Sequence, residues 1–128
     1  MDLYRENILD HYQNPRNFGK LPKPTTSAQV FNDFCGDFIH MDIKLKKPKS
    51  STKINVEDVR FEGSGCAISL ASASILTEYI RGKTINQLQE LSANDTVKLI
   101  GIELTPVRLK CALLAWEVLH KAINKIYG

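Results

Sequence analysis

Three cysteines, Cys35, Cys66 and Cys111, are the soft, reactive groups of this sequence. Their number is odd and their spacing wide, which makes a poor disulfide framework. In a reducing compartment such thiols are buried core residues, reactive groups or metal ligands. Cys66 lies in Phe61-Glu62-Gly63-Ser64-Gly65-Cys66-Ala67-Ile68-Ser69, where a strand-like run ends in Gly-Ser-Gly and a helical pattern begins. Gly65 lets the backbone bend sharply. The open N–H groups and dipole of a helix start favour negative charge, and thiolate is the metal-binding form of cysteine. Cys35 precedes Gly36 and Asp37. On an extended backbone, residues two apart point the same way, so Cys35 and Asp37 are expected to face one site. Cys111 falls in the second turn of a helix beginning at Pro106, with Arg108 and Lys110 adding positive charge. Any one cysteine could be a small core residue. Together with Asp37 they make four ligands, the usual number for tetrahedral zinc and for two irons sharing a sulfide-bridged cluster. No Cys-x-x-Cys pair occurs, which argues against an ordinary zinc ribbon.

Other chemistries fit less well. A strand–Gly-Ser-Gly-Cys–helix passage has the outline of a nucleophile elbow, and a cysteine hydrolase needs a histidine base. The candidates are His11 and His120, both within helical patterns, and His40, on the polar side of a strand; each reads as structural. A phosphatase loop would want an arginine soon after the cysteine, and Ala67–Ala73 contains none. The small residues Ala67, Ser69, Ala71, Ser72, Ala73 and Ser74 suit close helix packing. Lys44, Lys46, Lys47, Lys49 and Lys53 surround an expected hairpin turn and read as a solvated loop.

The elements that must position the cysteines follow from patterning. The 128 residues amount to one domain, 1–128, large enough for a core without disulfides. A net charge of +3 is too mild to argue for nucleic acid. No apolar run is long enough to span a membrane, and the charged, amphipathic opening is no signal peptide, so a cytoplasmic protein is expected. Residues 2–13 predict a helix, from Leu3, Tyr4, Ile8, Leu9 and Tyr12 at helical spacing. An extended loop follows to about residue 27. Residues 28–34 predict a weak strand. Ile39, Met41, Ile43 and Leu45 predict a half-buried strand, and 54–61 another, with a register slip at Glu57-Asp58 that implies a bulge. Residues 67–81 predict a helix closed by Gly82. Thr84 and Gln87 have capping-box spacing for a helix to about Ser92, and Asp95 to Gly101 adds a short one. Thr105-Pro106 starts the last helix, to about Ile126. The sum is α+β, helices packed on a three-stranded antiparallel sheet.

Cys35-Gly36-Asp37, Gly65-Cys66-Ala67-Ile68 and Arg108-Leu109-Lys110-Cys111 together resemble the U-type iron–sulfur cluster scaffold proteins: IscU, SufU and the N-terminal domain of NifU. The opening Leu3-Tyr4-Arg5, Asp10-His11-Tyr12 and Asn14-Pro15-Arg16-Asn17 fits as well, as does Leu76-Thr77-Glu78 leading to Gly82-Lys83. The resemblance spans nearly the whole chain. It implies that Cys35, Asp37, Cys66 and Cys111 hold iron in a transient [2Fe–2S] cluster, with zinc as an alternative occupant. It implies that the three cysteines accept persulfide sulfur from a pyridoxal-phosphate cysteine desulfurase, and that apo iron–sulfur proteins receive the cluster. In this reading the chain is a scaffold and not an enzyme. A carboxylate is a harder partner than thiolate, so Asp37 suits a site that must release its cargo.

Certain positions depart from that pattern. Asp33 stands where the family often has proline two residues before the first cysteine. Lys110 replaces the histidine that precedes the third cysteine in IscU, and so resembles SufU, as does the run into Leu114-Ala115-Trp116. The compact span from Cys66 to Cys111 lacks the SufU insertion and resembles IscU. The alternative function is therefore a zinc-dependent sulfur acceptor of the SufU type, with Cys111 expected as its attacking thiol. A purely structural zinc module is a third reading. Leu104-Thr105-Pro106-Val107-Arg108 resembles the motif by which IscU meets an Hsp70-type chaperone, with Thr105 and Arg108 as departures; it also reads simply as a good helix start.

Overall fold

The computed structural model of the chain describes residues 3–33, 36–50, 52–101 and 105–127. The elements run α1 Leu3–Gln13, β1 Thr26–Asn32, β2 Asp37–Lys46, β3 Asn55–Ser64, α2 Ala67–Ile80, α3 Ile85–Glu90, α4 Ala93–Ile100 and α5 Pro106–Tyr127. The strands form one antiparallel sheet in the order β1-β2-β3, so the α+β expectation holds.

The inward residues of β2, Ile39, Met41 and Ile43, are fully buried, and they oppose Val59 and Phe61 of β3 and Ala28 of β1. Against them pack Leu76 and Ile80 of α2 and the repeating pairs Leu114-Ala115, Val118-Leu119 and Ala122-Ile123 of α5. That three-and-four spacing is the apolar stripe of a helix lying on a sheet. Each large side chain so buried contributes about 1.5–3 kcal/mol. The expected bulge is present: Lys44 pairs with Asp58 and Leu45 with Val56, which leaves Glu57 as the extra residue.

β1 starts two residues earlier than expected, and β3 runs on through Gly63 and Ser64. The Gly-Ser-Gly passage is therefore partly strand. Backbone pairing overrides local glycine content here, because Phe38 of β2 lies opposite Ser64. α4 begins at Ala93 rather than Asp95. The missed signal is a second capping box, Ser92 with Asp95, beside the anticipated Thr84 with Gln87.

α2 is the centre of the helical layer. Its residues from Ala71 through Thr77 are all buried. One side faces the sheet and α5; the other meets Ile8 of α1 and Ile100 of α4 around Ala71 and Ile75. Its hydroxyls also tie the chain's opening to it. Ser74 Oγ accepts the Arg16 N–H at 2.8 Å and lies 2.7 Å from His11 Nδ1. Burial, reinforced by the Arg16 charge, holds the His11 pKa below its ordinary value despite Glu78 and Asp10, so His11 serves the fold as a neutral ring.

Both sheet edges are covered. Asn17–Gly19 and the stretch 82–85 hydrogen-bond to β3. On the β1 edge, the ammonium groups of Lys121 and Lys125 donate to the carbonyls of Gln29 and Ser27, which blocks strand addition. On the outer face Asp42 is buried. Burial alone would raise its pKa, but donors from Ser27 at 2.6 Å, the Leu21 N–H at 3.0 Å and His40 at 2.8 Å outweigh it and hold the carboxyl below the usual value.

A depressed carboxyl contributes stability above its unfolded pKa and loses it as pH falls through the folded pKa. Asp42→Asn is therefore expected to cost about 1–3 kcal/mol at neutral pH. That gap should narrow below about pH 4. Urea unfolding at pH 7 and pH 3 checks it; an equal gap at both would assign the effect to shape rather than charge.

Candidate metal centre

Asp37 opens β2, Cys66 immediately precedes α2, and Cys111 sits in the second turn of α5. The antiparallel register brings the start of β2 beside the end of β3, and α2 begins just after that end. One ligand atom from each of Asp37, Cys66 and Cys111 can be chosen so that all three lie within 4.8 Å of one another. Around a tetrahedral zinc, with bonds of about 2.0–2.3 Å, ligand atoms stand roughly 3.5–3.8 Å apart. A contraction of about 1 Å would thus close the group on a metal. Two thiols and a carboxylate are a donor set that zinc and iron both accept.

Cys35 lies outside the described residues. Gly36 adopts φ 72°, a left-handed turn conformation, and its N–H donates to Asn32 O at 2.9 Å. Leu104 also lies outside the described residues, while Thr105 accepts a long hydrogen bond from the Arg108 N–H at 3.4 Å, as a helix cap does.

Burial divides the group. Asp37 is 3% exposed and Cys111 4%, whereas Cys66 is exposed. Cys66 is the N-cap residue of α2, with no side-chain capping bond. Its sulfur therefore faces outward at the helix entrance without serving the helix. The group contains no histidine. His11 is engaged with Ser74, His40 with Asp42 and His120 with the Leu91 carbonyl. That agrees with their structural reading.

Two residues complete the site that sequence reasoning did not single out for it. Ser69, fully buried, donates its hydroxyl to Asp37 Oδ2 at 2.6 Å and lies 3.5 Å from Cys66 Sγ. A signal for it exists: Ser69 stands three residues after the N-cap, where a side chain folds back over the helix entrance. Gly65 was read as a bend, and its larger role is room. It adopts φ 151°, and a Cβ there would stand 2.4 Å from Asp37 Oδ1. Gly63 is equally crowded, since a Cβ would meet Phe38 O at 2.6 Å.

Residues 3–128 match the profile of the NifU-like N terminal domain. The chain belongs to that family. Among its relatives, the zinc-dependent sulfurtransferase SufU of Bacillus subtilis (strain 168) is 38% identical, over 98% of this chain and 92% of that protein. The iron–sulfur cluster assembly scaffold protein IscU of Escherichia coli (strain K12) is 33% identical, over 94% of this chain and 91% of that protein. A crystal structure of a putative SUF-system scaffold from Fervidobacterium islandicum AW-1 superposes with a TM-score of 0.75. It shares 28% identity, with 92% of this chain and 94% of that one covered. The alignment with the SufU relative spans 143 positions, more than the chain's own 128 residues. That relative thus carries residues with no counterpart here.

Gly65→Ala is expected to push Asp37 off the site and weaken zinc binding by about 10–100-fold. Competition with a chromophoric chelator measures this. Unchanged affinity would show that Asp37 does not need the space.

Proposed function

We propose that the chain, a single domain over 1–128, is an iron–sulfur cluster assembly scaffold. It takes sulfur from a cysteine desulfurase, assembles a transient [2Fe–2S] cluster from that sulfur with iron and electrons supplied by others, and passes it to apo-proteins. The observation that carries this reading is the convergence of Asp37, Cys66 and Cys111 at one end of the sheet, two buried and one exposed. The buried pair can hold cargo away from water. The exposed sulfur gives partners access. Cys35 is proposed as the fourth ligand.

A second reading is a zinc-dependent sulfur acceptor. It is favoured by the similarity to the SufU relative, by Lys110 before Cys111 and by the exposure of Cys66. In it Asp37 and the cysteines would hold zinc, which would supply charge to stabilise thiolates. The deprotonated Cys66 sulfur attacks the outer sulfur of the desulfurase persulfide. A new S–S bond forms on Cys66, the old one breaks, and the desulfurase cysteine leaves as thiolate, with no net redox change. The exposure of Cys66 supports it in this role ahead of Cys111, because thiol exchange needs access to the attacking sulfur.

The segment from Leu104 to Arg108 remains a proposed contact for an Hsp70-type chaperone; Thr105, Pro106 and Arg108 are exposed. Among the described residues no helix is long and apolar enough to cross a membrane. A cytoplasmic site of action fits the reduced thiols that this chemistry requires.

Anaerobic reconstitution with ferrous iron, cysteine and a cysteine desulfurase tests the choice. The scaffold reading expects a visible cluster chromophore that moves to an apo-ferredoxin. It also expects Asp37→Ala to hand the cluster on more slowly; equal or faster transfer would remove the labile-ligand role. Retained zinc with faster desulfurase turnover and no chromophore would select the sulfur acceptor. Either function expects zinc to raise the melting temperature over chelated protein. At a hundredfold excess over Kd the gain is about 2.7 kcal/mol, or roughly 10 °C. No shift would mean that the thiols do not act as one site.

A further inference from the structure

The Asp37 carboxyl group is held from two sides. Ser69 grips Oδ2 at 2.6 Å, and the bare backbone of Gly65 leaves just enough space beside Oδ1. Ser69 is fully buried, so its hydroxyl does not spend time on bulk water. A serine hydroxyl has a single proton to give. While that proton lies on Asp37, the contact with Cys66 Sγ at 3.5 Å can only be an acceptor contact. One side chain thus touches the buried carboxylate and the exposed thiol, and it fixes the rotation of the carboxyl group.

We propose that Ser69 is a positioning residue that makes Asp37 a one-oxygen ligand. With Oδ2 engaged by Ser69, a metal drawing on both carboxylate oxygens would have to displace a short, buried hydrogen bond. Asp37 then meets the metal through a single oxygen, already oriented by its outer partner. This rests on the reading that Asp37, Cys66 and Cys111 bind a metal. Outer partners of this kind orient ligands, and their removal typically weakens metal binding by about 10–100-fold.

The test uses the full chain with cobalt(II) or zinc alone. Wild type should give the intense visible bands of a four-coordinate cobalt–thiolate site. Ser69→Ala releases the carboxylate to bind through both oxygens. Its bands should weaken as coordination rises, and zinc affinity should fall about 10-fold. Ser69→Thr, which keeps the hydroxyl, should restore both. In an Asp37→Ala background, Ser69→Ala should change nothing further, because the two residues act as a unit. Melting of the chelated proteins is recorded alongside, so that loss of fold is not mistaken for loss of binding. A Ser69→Ala cobalt spectrum and zinc affinity equal to wild type would overturn the proposal. So would an affinity loss of the same size with and without Asp37. If wild type binds neither ion, the metal-site reading itself fails, and this inference falls with it.

Discussion

The site depends on one steric constraint: three backbone segments approach more closely than side chains would permit. The start of β2, the end of β3 and the entrance of α2 meet at Gly63 and Gly65. A Cβ at the first would stand 2.6 Å from the Phe38 carbonyl, and at the second 2.4 Å from the Asp37 carboxylate. Because no Cβ is there, Asp37 turns inward under the entrance of α2, and Ser69 can reach it. The buried carboxylate and the outward Cys66 both sit where those segments meet.

What holds the approach in place is the burial of α2. Few globular helices are enclosed on both sides, and this one is enclosed with small residues. Alanine at 71 and 73 admits neighbouring elements, and serine at 69 and 74 converts proximity into hydrogen bonds. Ser69 serves the Asp37 end and Ser74 the chain's opening, five residues further along the helix. A stripe that packs closely therefore also distributes polar contacts. A buried hydroxyl with a partner is tolerated where one without is costly, and Ser72 alone among the described buried side-chain polar groups shows none.

Two relatives of the chain carry differently named roles. Identity is 38% with the zinc-dependent sulfurtransferase from Bacillus subtilis and 33% with the scaffold protein from Escherichia coli. Handling sulfur or a metal asks for soft donors, a harder one and a sulfur within reach of a partner. Burial apportions these demands among the side chains, with Asp37 and Cys111 inside and Cys66 at the surface.

Patterning by itself determined the α+β class, the alternating β2 strand, the bulge at Glu57, the capping box at Thr84 and the last helix from Pro106. These are local: each follows from a side-chain period or a cap within a few residues. The candidate ligands were legible too, since Cys35, Asp37 and Cys66 stand beside glycine-bearing turns and Cys111 near a helix start. Tertiary structure alone decided which of those groups share a site, that Gly36 is a left-handed turn, that Cys111 is buried while Cys66 is exposed, and that Ser69 and Gly65 belong to the site. Those facts depend on contacts between segments far apart in sequence, such as Ser69 with Asp37. Their distances are set by sheet register and helix packing, which no local period encodes.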